Sequence, residues 1–303
     1  MALKPQYEFL KLGNKPPHQT KVSLEGKWVL ITGATSGIGL SATHRFAKGK
    51  ANLILFVRNE KKVQELKKEL EHKYGIQVHY YLADFSILKS VKEALQSIVN
   101  QEKQIDVLIN NAGVYSTKRV LTKDQTELVL TVNHLSSLLI TETLTPLLSQ
   151  SKGRIIQVNS EGHRFSRFSL DDPHFKKRWY TGLRSYGASK SAQLHTVWAL
   201  APNLFKKGIT INAMHPGAVQ SEIGLNNGWL YRMFKKLIIN RMLKSVSNSA
   251  EALYYLAADP SVKETYGRYF YLTHPTMPAK HALANSLSKE VLSWSKKVIK
   301  FVR

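Results

Sequence analysis

The chain has 303 residues, of which 43% are hydrophobic, so it is long enough to bury the core of one large domain or two small ones. It contains no cysteine, which excludes a disulfide framework, a thiolate metal site and a thiol nucleophile. With 44 Lys and Arg against 21 Asp and Glu, its net charge of +23 favours anionic partners such as nucleotide phosphate, anionic lipid or nucleic acid, although we interpret most of its lysines as a solvated surface.

The first 26 residues are polar and lack the apolar stretch of a signal peptide. No apolar run in the chain approaches the roughly 18 residues needed to span a bilayer. We therefore expect a leader over residues 1–26 that lies on the folded domain or is loose. We also expect a cytoplasmic protein without a signal peptide or transmembrane helix.

The first patterned stretch, Trp28–Gly39, predicts a buried strand, a glycine-rich turn and the start of a helix. Gly33, Gly37 and Gly39 follow the apolar run at spacings of four and two. Glycine lets the backbone approach a ligand, and a helix start offers free N–H groups and a positive dipole end, which suit a pyrophosphate. The stretch therefore predicts a dinucleotide site, and an ordinary turn that needs glycine for its geometry is the alternative.

Strands and helices then alternate along the chain. We predict further strands at residues 52–57, 76–82, 105–109, 155–158 and 209–214, and helices at about residues 60–74, 86–103, 122–149 and 186–206. Strands that are apolar on both faces and alternate with helices are typical of a parallel sheet covered on both sides. We expect an α/β fold, a doubly wound parallel sheet of about seven strands with helices on both faces, in a single domain spanning about residues 27–303.

Polar residues that follow the strands form a candidate site. In such sheets the ligand lies at the carboxyl ends of the strands, where these residues converge. They are the glycines of the first turn, Arg58, Asp84, Asn110, Ser160, Pro216 and Gly217. Their convergence predicts a nucleotide-type site.

Tyr186 and Lys190 are four residues apart in a predicted helix, so they share one face. A nearby ammonium favours the phenolate and lowers the pKa of tyrosine from about 10, which makes the phenol a proton donor or acceptor near neutral pH. A surface pair without a catalytic role is the alternative. The helix follows the strand that supplies Ser160, which favours the catalytic interpretation.

Five separated motifs, in this order and spacing, resemble those of the short-chain dehydrogenase/reductase family over about residues 25–275. They are Thr32–Gly39, Asn110–Gly113, Ser160, Tyr186-x-x-x-Lys190 and Pro216-Gly217. Three further segments resemble the retinol-dehydrogenase-like branch, which includes the WW-domain oxidoreductase: Ser160–Arg164, His215–Gly217 and Leu292–Ser295. The resemblance implies a Rossmann-type fold and an oxidoreductase that transfers a hydride between nicotinamide and a carbonyl or alcohol.

The resemblance also implies four catalytic residues. Tyr186 is expected as the acid and base at the substrate oxygen, Ser160 as the residue that orients this oxygen, and Lys190 as the ligand of the nicotinamide ribose that lowers the pKa of Tyr186. Asn133 is expected to position a water for proton relay, with a buried structural asparagine as the alternative.

Contacts to the cofactor follow from the same resemblance. Asp84 is expected at the adenine amino group and Asn110 on the side of the adenosine ribose. Ser221 stands where the family usually has threonine beside the nicotinamide amide, and it keeps the hydroxyl. The other expected cofactor contacts are Gly33, Thr35, Ser36, Gly37, Ile38, Gly39, Arg58, Ala112, Gly113, Tyr186, Lys190, Pro216, Gly217 and Val219. No metal is expected.

The choice of cofactor depends on the residue after the second strand. An acidic residue there would bond the ribose 2′-hydroxyl and repel a 2′-phosphate. This chain has Arg58, whose guanidinium matches a phosphate bidentately, and Ser36 is available for a further hydrogen bond. The sequence therefore predicts NADP(H), with NAD(H) as the alternative.

The chain departs from the family pattern in two places. Ser160 and Tyr186 are 26 residues apart, about twice the spacing in the wider family. We interpret the basic, aromatic insertion Phe165–Arg184 as a wall of the substrate pocket, since the retinol-dehydrogenase-like branch has an insertion here too. Pro202 stands in the helix of Tyr186 and Lys190, and we expect a kink or break there, since proline inside a helix costs roughly 3 kcal/mol.

Two segments interleave bulky apolar residues with cations. Residues 221–247 match the family's substrate lid, and residues 285–303 repeat the pattern at the carboxyl terminus. Both also suit an amphipathic helix on an anionic membrane, and the two interpretations are compatible. They predict a lipophilic substrate such as an aldehyde, ketone, retinoid, steroid or quinone, and they leave peripheral membrane contact open.

Other functions compete with an NADP(H)-dependent carbonyl reductase or alcohol dehydrogenase. A non-catalytic NAD(P)-binding scaffold or regulatory protein on the same fold is the alternative, which the loss of Tyr186 or Lys190 would have favoured. A nucleic-acid binder would use the basic charge and stacking aromatics along a groove. No recognised nucleic-acid module is present, so we expect no nucleic acid, and a homo-oligomer is left open.

Overall fold

An eight-stranded sheet is the centre of the computed structural model, which describes residues 15–217 and 246–301. Its strands are β1 Trp28–Thr32, β2 Asn52–Val57, β3 Val78–Leu82, β4 Val107–Asn110, β5 Arg154–Val158, β6 Thr210–His215, β7 Tyr269–Tyr271 and β8 His274–Thr276. They lie in the order β3-β2-β1-β4-β5-β6-β7-β8, and all neighbours are parallel except β7 and β8. The predicted doubly wound parallel sheet is confirmed, with β8 added as an antiparallel edge strand.

Helices cover both faces of the sheet. They are α1 Gly37–Lys48, α2 Glu60–Tyr74, α3 Leu88–Gln101, α4 Ser136–Ser151, α5 Gly182–Phe205, α6 Val246–Ala258 and α7 Ser286–Phe301. One apolar core lies between the sheet and α1, α2 and α6, and a second lies between the sheet and α3, α4 and α5. Within residues 15–217 and 246–301, no helix combines the length and the hydropathy needed to cross a membrane.

The central strand shows why the chain needs both layers. Val29 and Ile31 of β1 pack into the first core, whereas Leu30 between them packs into the second. All three side chains are 0% exposed. Because successive side chains of a strand point to opposite faces, an unbroken apolar run is buried only if helices cover both sides.

The helix predicted from about residue 122 begins later than expected. It starts with a single α-turn at Leu128–Leu130, passes through a π-helical turn at Thr131–Leu135 and continues as α4. Glu127 fixes this start, because its carboxylate accepts the backbone N–H groups of Val129 at 3.1 Å and Leu130 at 2.8 Å. The preceding residues instead form a short bridge and turns.

The helix that carries the Tyr-x-x-x-Lys pair, α5, ends where predicted but differs from the prediction at its start and at Pro202. It begins one turn before Tyr186, because the Thr181 hydroxyl accepts the N–H of Arg184 at 3.2 Å and caps it. It does not break at Pro202, which lies in its last turn. A proline there removes one backbone donor, and the Pro202 carbonyl still accepts the N–H of Lys206 at 3.3 Å.

Part of the amino-terminal leader is described and lies on the domain. The carbonyl of Val22 accepts a hydrogen bond from the Tyr254 hydroxyl at 2.6 Å, and the carbonyl of Thr20 accepts one from Arg45 at 3.2 Å. Residues 20–22 therefore pack against α1 and α6, whereas His18 and Pro16 bond to Thr273 and His274 beside β8.

Candidate active site

The strand order reverses at β1, which has β2 and β3 on one side and β4 to β8 on the other. Such a reversal leaves a crevice at the carboxyl ends of the strands, where ligands of doubly wound sheets bind. The glycine-rich turn leaves β1 at this point and leads into α1. The residues predicted from the ends of β1, β2, β4, β5 and β6 share this edge of the sheet.

Glycine is required in the turn for both space and conformation. A Cβ on Gly39 would lie 2.1 Å from the carbonyl oxygen of Gly33, so the start of α1 packs directly on the turn. Gly33 and Gly37 have φ values of +67° and +52°, which favour glycine. A Cβ on Gly37 would meet nothing within 4 Å, so the space beside it is open to a ligand.

The amino terminus of α1 suits an anion. Ser36 occupies the cap position in an extended conformation, but its hydroxyl does not bond to the helix, and the first turn has no acidic residue. The positive dipole end and the first N–H groups are therefore available to a phosphate. Thr35 is half-buried in the turn, whereas Ile38 points into the core at 8% exposure.

Two residues outside the predicted site hold the turn in place. The Thr32 hydroxyl accepts the N–H groups of Asn111 and Ala112, both at 2.9 Å. The Asn111 side chain donates to the carbonyls of Thr32 at 3.0 Å and Gly33 at 3.3 Å. The loop after β4 and the turn after β1 are thereby fixed together. In the sequence, the feature that pointed to this contact was the pair of asparagines before Ala112.

Arg58 and Asp84 stand at the ends of β2 and β3. Arg58 is exposed and makes no hydrogen bond or ion pair with residues 15–217 or 246–301. Its neighbour Asn59 caps α2 by accepting the N–H of Lys62 at 2.9 Å, so the Asn59 side-chain oxygen is already engaged within the protein. The Asp84 carboxylate is held in a tight turn by Ser86, which donates its N–H at 2.9 Å and its hydroxyl at 2.7 Å.

The side chain of Asn110 lies between β4 and α4. It is 1% exposed, and its Nδ2 donates to the Thr141 hydroxyl at 2.9 Å. Its Oδ1 has no hydrogen-bond partner among the described residues. The expectation that Asn110 faces the adenosine ribose remains a prediction, since the described contact of its side chain is the one to Thr141.

Ser160 and Tyr186 are both partly exposed and meet at Gly162. Ser160 caps a short 3₁₀ helix, and its Oγ accepts the N–H of Gly162 at 3.0 Å. A Cβ on Gly162 would lie 2.8 Å from the Tyr186 ring and 3.3 Å from Ser160 Oγ. The Asn159 side chain accepts the N–H of Ser160 at 2.8 Å, which fixes the backbone that carries the serine.

Lys190 lies beneath the tyrosine and is buried. Its Nζ is 5.7 Å from the centre of the Tyr186 ring and donates to the Val158 carbonyl at 2.9 Å and to Gln193 Oε1 at 3.1 Å. Burial lowers the pKa of Lys190 to about 7. The surroundings of the amine therefore favour its neutral form more than water does.

Asn133 is 0% exposed and lies in the π-helical turn. Its Oδ1 accepts the Val114 N–H at 2.7 Å, and its Nδ2 donates to the Val114 carbonyl and to Ser189 Oγ, both at 3.1 Å. The Ser189 hydroxyl donates in turn to the Tyr186 carbonyl at 2.7 Å. Asn133 therefore joins the loop after β4 to the helix of the Tyr-x-x-x-Lys pair, and π-helical turns are frequent at functional sites.

A histidine on the 3₁₀ helix supports the serine from behind. His163 Nδ1 bonds the Ser160 carbonyl at 2.7 Å, and its Nε2 accepts the Ala279 N–H at 2.9 Å, which fixes the neutral tautomer with its proton on Nδ1. Burial lowers the pKa of His163 to about 3. The neighbouring Glu161 accepts a hydrogen bond from the Tyr269 hydroxyl at 2.9 Å, which ties the 3₁₀ helix to β7.

A second tyrosine lies beside Tyr186. The Tyr115 ring centre is 5.8 Å from that of Tyr186, at the end of the loop after β4. A Cβ on Gly182 would lie 2.6 Å from the Tyr115 hydroxyl and from the Ser116 carbonyl, so the start of α5 packs closely on this loop. Sequence patterns gave no signal for Tyr115, because its position depends on where the loop meets α5.

The insertion between Ser160 and Tyr186 has its own small core. The Tyr180 hydroxyl lies 3.2 Å from both Glu127 Oε1 and the Ser116 carbonyl, which anchors the insertion to the loop after β4. Burial raises the pKa of the Glu127 carboxyl, against the lowering effect of the Leu130 and Val129 N–H groups. Of its aromatic residues, Phe168 and Phe175 are buried, Tyr180 is half-buried, and Phe165 and Trp179 are exposed.

The remaining predicted residues follow β6. Pro216 and Gly217 are buried, the Pro216 carbonyl accepts the Ser249 hydroxyl at 2.7 Å, and Gly217 has a φ of +81°. Val219 and Ser221 lie outside the described residues, as does most of the predicted lid. Among the described residues, no group of three His, Cys, Asp or Glu side chains is placed to hold a metal ion.

Comparison with known proteins adds relatives of the whole chain. A family model described as short chain dehydrogenase matches residues 27–172. Human Retinol dehydrogenase 13 is 29% identical over 289 residues, covering 92% of this chain and 86% of that protein. Mouse Retinol dehydrogenase 14 is 31% identical over 82% of this chain and 78% of its own length, and Bos taurus Dehydrogenase/reductase SDR family member 13 is 32% identical over 88% and 71%.

Solved structures share the fold. A Mycobacterium paratuberculosis protein has a TM-score of 0.71 at 24% identity, covering 95% of this chain and 97% of its own. L-sorbose reductase from Gluconobacter frateurii, solved with NADPH and L-sorbose, has a TM-score of 0.67 at 22% identity and covers 83% and 96%. A blue fluorescent protein from a metagenomic library, solved with NADPH, has a TM-score of 0.66 at 25% identity and covers 82% and 96%.

Proposed function

This chain belongs to the retinol-dehydrogenase-like branch of the short-chain dehydrogenase/reductase family, and from that premise we propose that it is an NADP(H)-dependent oxidoreductase of lipophilic carbonyls or alcohols. The observation that carries the proposal is the arrangement of Ser160 and Tyr186 around Gly162, with the buried Lys190 amine beneath the tyrosine ring. This group lies at the carboxyl edge of the sheet, which it shares with the glycine-rich turn.

The residues present fit a nicotinamide dinucleotide. The turn leaves open space at Gly37, and the amino terminus of α1 has neither a capping hydroxyl nor an acidic side chain in competition with a phosphate. Asp84, held in its turn by Ser86, offers a carboxylate for the adenine amino group. When bound, the nicotinamide supplies or accepts the hydride.

Ser160 is well prepared to orient a substrate oxygen. Its Oγ already accepts the N–H of Gly162 at 3.0 Å, so its own hydroxyl hydrogen is available to donate. A hydrogen bond to the substrate oxygen strengthens as negative charge grows there during reduction, which stabilises the transition state more than the ground state.

Tyr186 supplies or removes the proton at the same oxygen. In reduction its phenol donates to the developing alkoxide, and in oxidation its phenolate accepts the alcohol proton. Lys190 stabilises the phenolate when charged, and its pKa near 7 places that change of charge at neutral pH. Removing the phenolic oxygen should therefore stop proton transfer while contacts elsewhere still hold the cofactor.

The preference for NADP(H) rests on Arg58. Its guanidinium is exposed at the end of β2 and has no carboxylate partner among the described residues. A free guanidinium at the adenosine end favours a 2′-phosphate over a 2′-hydroxyl. NAD(H) remains the alternative cofactor.

The lipophilic substrate is supported by relatives and by the surroundings of the site. Retinol dehydrogenases 13 and 14 are named for an apolar alcohol. In this chain Tyr115 lies 5.8 Å from Tyr186, and the aromatic insertion is anchored beside it. We propose that these groups form an apolar wall against which a long or planar substrate packs.

Measurement of cofactor binding and turnover in parallel tests the function. Binding of NADPH and NADH is titrated by fluorescence, and oxidation of the tighter cofactor is followed with retinal, long-chain aldehydes and aromatic ketones. We expect Tyr186→Phe to bind NADPH as the wild type does but to turn over at least a thousandfold more slowly, on the order of the loss of a catalytic group. Turnover within a few-fold of the wild type would contradict the assignment of Tyr186.

A further inference from the structure

The side chain of Gln193 connects three parts of the site. It is 1% exposed and lies on α5, three residues after Lys190. Its Oε1 accepts hydrogen bonds from Lys190 Nζ and from Asn159 Nδ2, both at 3.1 Å. Its Nε2 donates to the main-chain carbonyl of Asn133. Both ends of the amide are therefore used, which fixes the orientation of a long side chain.

The main-chain carbonyl and the side-chain amide of Asn133 are both engaged by described residues. Its main-chain carbonyl accepts Gln193 Nε2 and also the Ser137 hydroxyl, the latter at 3.1 Å, so both lone pairs of this oxygen are engaged. Both hydrogens of its side-chain amide are engaged as well, by Val114 and Ser189. Gln193 thus stands between Asn133 and Lys190.

We propose that Gln193 is a positioning residue that holds Lys190 Nζ beneath Tyr186 and braces it against the Asn133 carbonyl. This inference rests on the proposed oxidoreductase function, because it concerns how Lys190 serves Tyr186. Held there, a charged Lys190 stabilises the Tyr186 phenolate through its charge.

Few other groups set the charge of Lys190. On its own helix Tyr186 is the nearby titratable residue, while the end of β5 presents the Val158 carbonyl and the Asn159 amide. The π-helical turn presents the Asn133 carbonyl through Gln193. Burial is the cause of the lowered pKa of Lys190, and no charged side chain of the described chain adds to it. The acceptor oxygen of Gln193 opposes that shift, because it bonds to the ammonium.

Two variants at the same position test the proposal, because they should shift the pKa of Lys190 in opposite directions. Gln193→Leu removes the acceptor, so the pKa of Lys190 should fall. The high-pH limb of the pH–rate profile for carbonyl reduction, where the rate falls as Lys190 loses its proton, should then move about one pH unit lower. Gln193→Glu places a carboxylate beside the amine, so the limb should move about one unit higher. Gln193→Met serves if the leucine variant does not fold. A purely structural role would lower the rate in both variants without moving the limb in opposite directions.

Thr196→Val is the matched control. Thr196 lies one turn along α5 at 6% exposure, and its hydroxyl donates to the Gln193 main-chain carbonyl at 2.9 Å. The substitution removes a buried hydrogen bond on the same helix without touching Lys190. We expect its pH profile to match that of the wild type, and a shift as large as that of Gln193→Leu would overturn the proposal.

A measurement without turnover separates this proposal from the proposed function. The chain is labelled with ¹³C at the lysine Cε atoms, and Lys190 is recognised by its midpoint near pH 7 and its loss in Lys190→Met. Ordinary lysines titrate near 10.4, so the signal is resolved. We expect the midpoint to fall in Gln193→Leu and to rise in Gln193→Glu, even if no carbonyl is reduced. One common midpoint in all three proteins would overturn the role of Gln193, whether or not the enzyme turns over.

Discussion

At the residue scale, the absence of one side chain lets Ser160 and Tyr186 lie close together. Gly162 lies in the 3₁₀ helix between Ser160 and the insertion, and its hydrogen faces the Tyr186 ring. An alanine there would place a carbon 2.8 Å from the ring, closer than van der Waals contact allows. Because the backbone is fixed by the Gly162 N–H bond to the serine, the tyrosine would have to move instead. The geometry of the site thus depends on a residue without functional groups.

We propose that Arg58 sets the cofactor preference at this scale. Arg58→Asp should raise the Kd for NADPH by about ten- to one-hundredfold, because a hydrogen bond to a charged group contributes about 1.5–3 kcal/mol and the new carboxylate adds repulsion. The Kd for NADH should be unchanged or lower, since a carboxylate can accept the 2′-hydroxyl. Fluorescence titration with both cofactors measures the two constants.

Lys61→Asp provides the control for this experiment. Lys61 is an exposed cation in the first turn of α2, so the substitution makes the same change of charge close to Arg58. If both variants weaken NADPH equally, a diffuse positive field and not a contact from Arg58 holds the phosphate. Unchanged NADPH affinity in Arg58→Asp would show that the guanidinium points away from the ribose.

The residues proposed to act on a ligand were easier to predict from the sequence than the residues that hold them in place. Ser160, Tyr186 and Lys190 belong to motifs with fixed spacing, and the structure brings all three together. Gln193 and Tyr115 were not predicted, because an amide or a ring has no recognisable role until its partners are known. Their positions depend on contacts between α5, the π-helical turn and the loop after β4, which are far apart in the sequence.

At the scale of elements, the insertion is organised by one buried carboxylate. Asp172 is 6% exposed and accepts the backbone N–H groups of Lys176 at 2.6 Å, Lys177 at 3.2 Å and Arg178 at 2.8 Å. Burial alone would raise the pKa of Asp172, but these donors and the Arg178 side chain outweigh it and lower the pKa. The Arg178 guanidinium also lies 4.3 Å from the centre of the Phe175 ring. A short basic segment is thereby folded without a helix or strand.

Loss of this carboxylate should open the insertion locally. Asp172→Ala removes the acceptor of three N–H groups, and the loss of one charged hydrogen bond already costs about 1.5–3 kcal/mol. Local opening should therefore rise about tenfold or more, since each 1.4 kcal/mol is a factor of ten. Trypsin cleavage after Lys176, Lys177 or Arg178 measures it, followed by mass spectrometry.

The neighbouring Asp171 is the control for that measurement, because its side chain is exposed and accepts no hydrogen bond among the described residues. Asp171→Ala should be cleaved at the wild-type rate. Equal cleavage of the two variants would mean that negative charge near the basic segment, and not the geometry of Asp172, protects it.

The long elements were predictable from pattern, and the short or capped ones were not. Six strands follow from apolar runs, because a strand buried on both faces leaves no polar position. β7 and β8 have three residues each, too few to show a period. The start at Leu128–Leu130 depends on the Glu127 carboxylate, and the sequence alone does not distinguish a capping glutamate from the first turn of a longer helix. Pro202 failed as a break signal because only the last turn of α5 remained beyond it.

At the scale of the whole molecule, the positive charge is unevenly distributed. α2 has five lysines and four glutamates, whereas α7 has four lysines and one glutamate. The insertion is basic as well and packs against α7, where the Phe168 and Trp294 ring centres are 5.4 Å apart. The insertion and α7 therefore form one basic surface on the side of the second core, which we call the α7 surface.

The apolar residues of α7 are largely used within the protein. Val291 is 0% exposed and Ile299 is 8% exposed, while Trp294 packs on the insertion. Phe301, at 80% exposure, is an exception in the described part of this helix. The sequence pattern of an amphipathic membrane helix is therefore equally the pattern of a helix on a protein core, and any attraction of α7 to a membrane comes mainly from its lysines.

We expect weak, salt-dependent association of the α7 surface with anionic vesicles. Each Lys or Arg near an anionic surface contributes about 1 kcal/mol, and salt screens this attraction. Lys297 and Lys300 are exposed on α7, so changing both to Glu reverses charge there without disturbing buried groups.

The control changes the exposed Lys68 and Lys73 of α2 to Glu, which alters the net charge equally on the other layer. Co-sedimentation with vesicles of rising anionic lipid content should show binding at low salt that is reduced by the α7 pair and retained by the α2 pair. Equal loss in both pairs would assign the effect to net charge alone, and a wild-type protein that stays in the supernatant at low salt would show that the α7 surface does not meet a membrane.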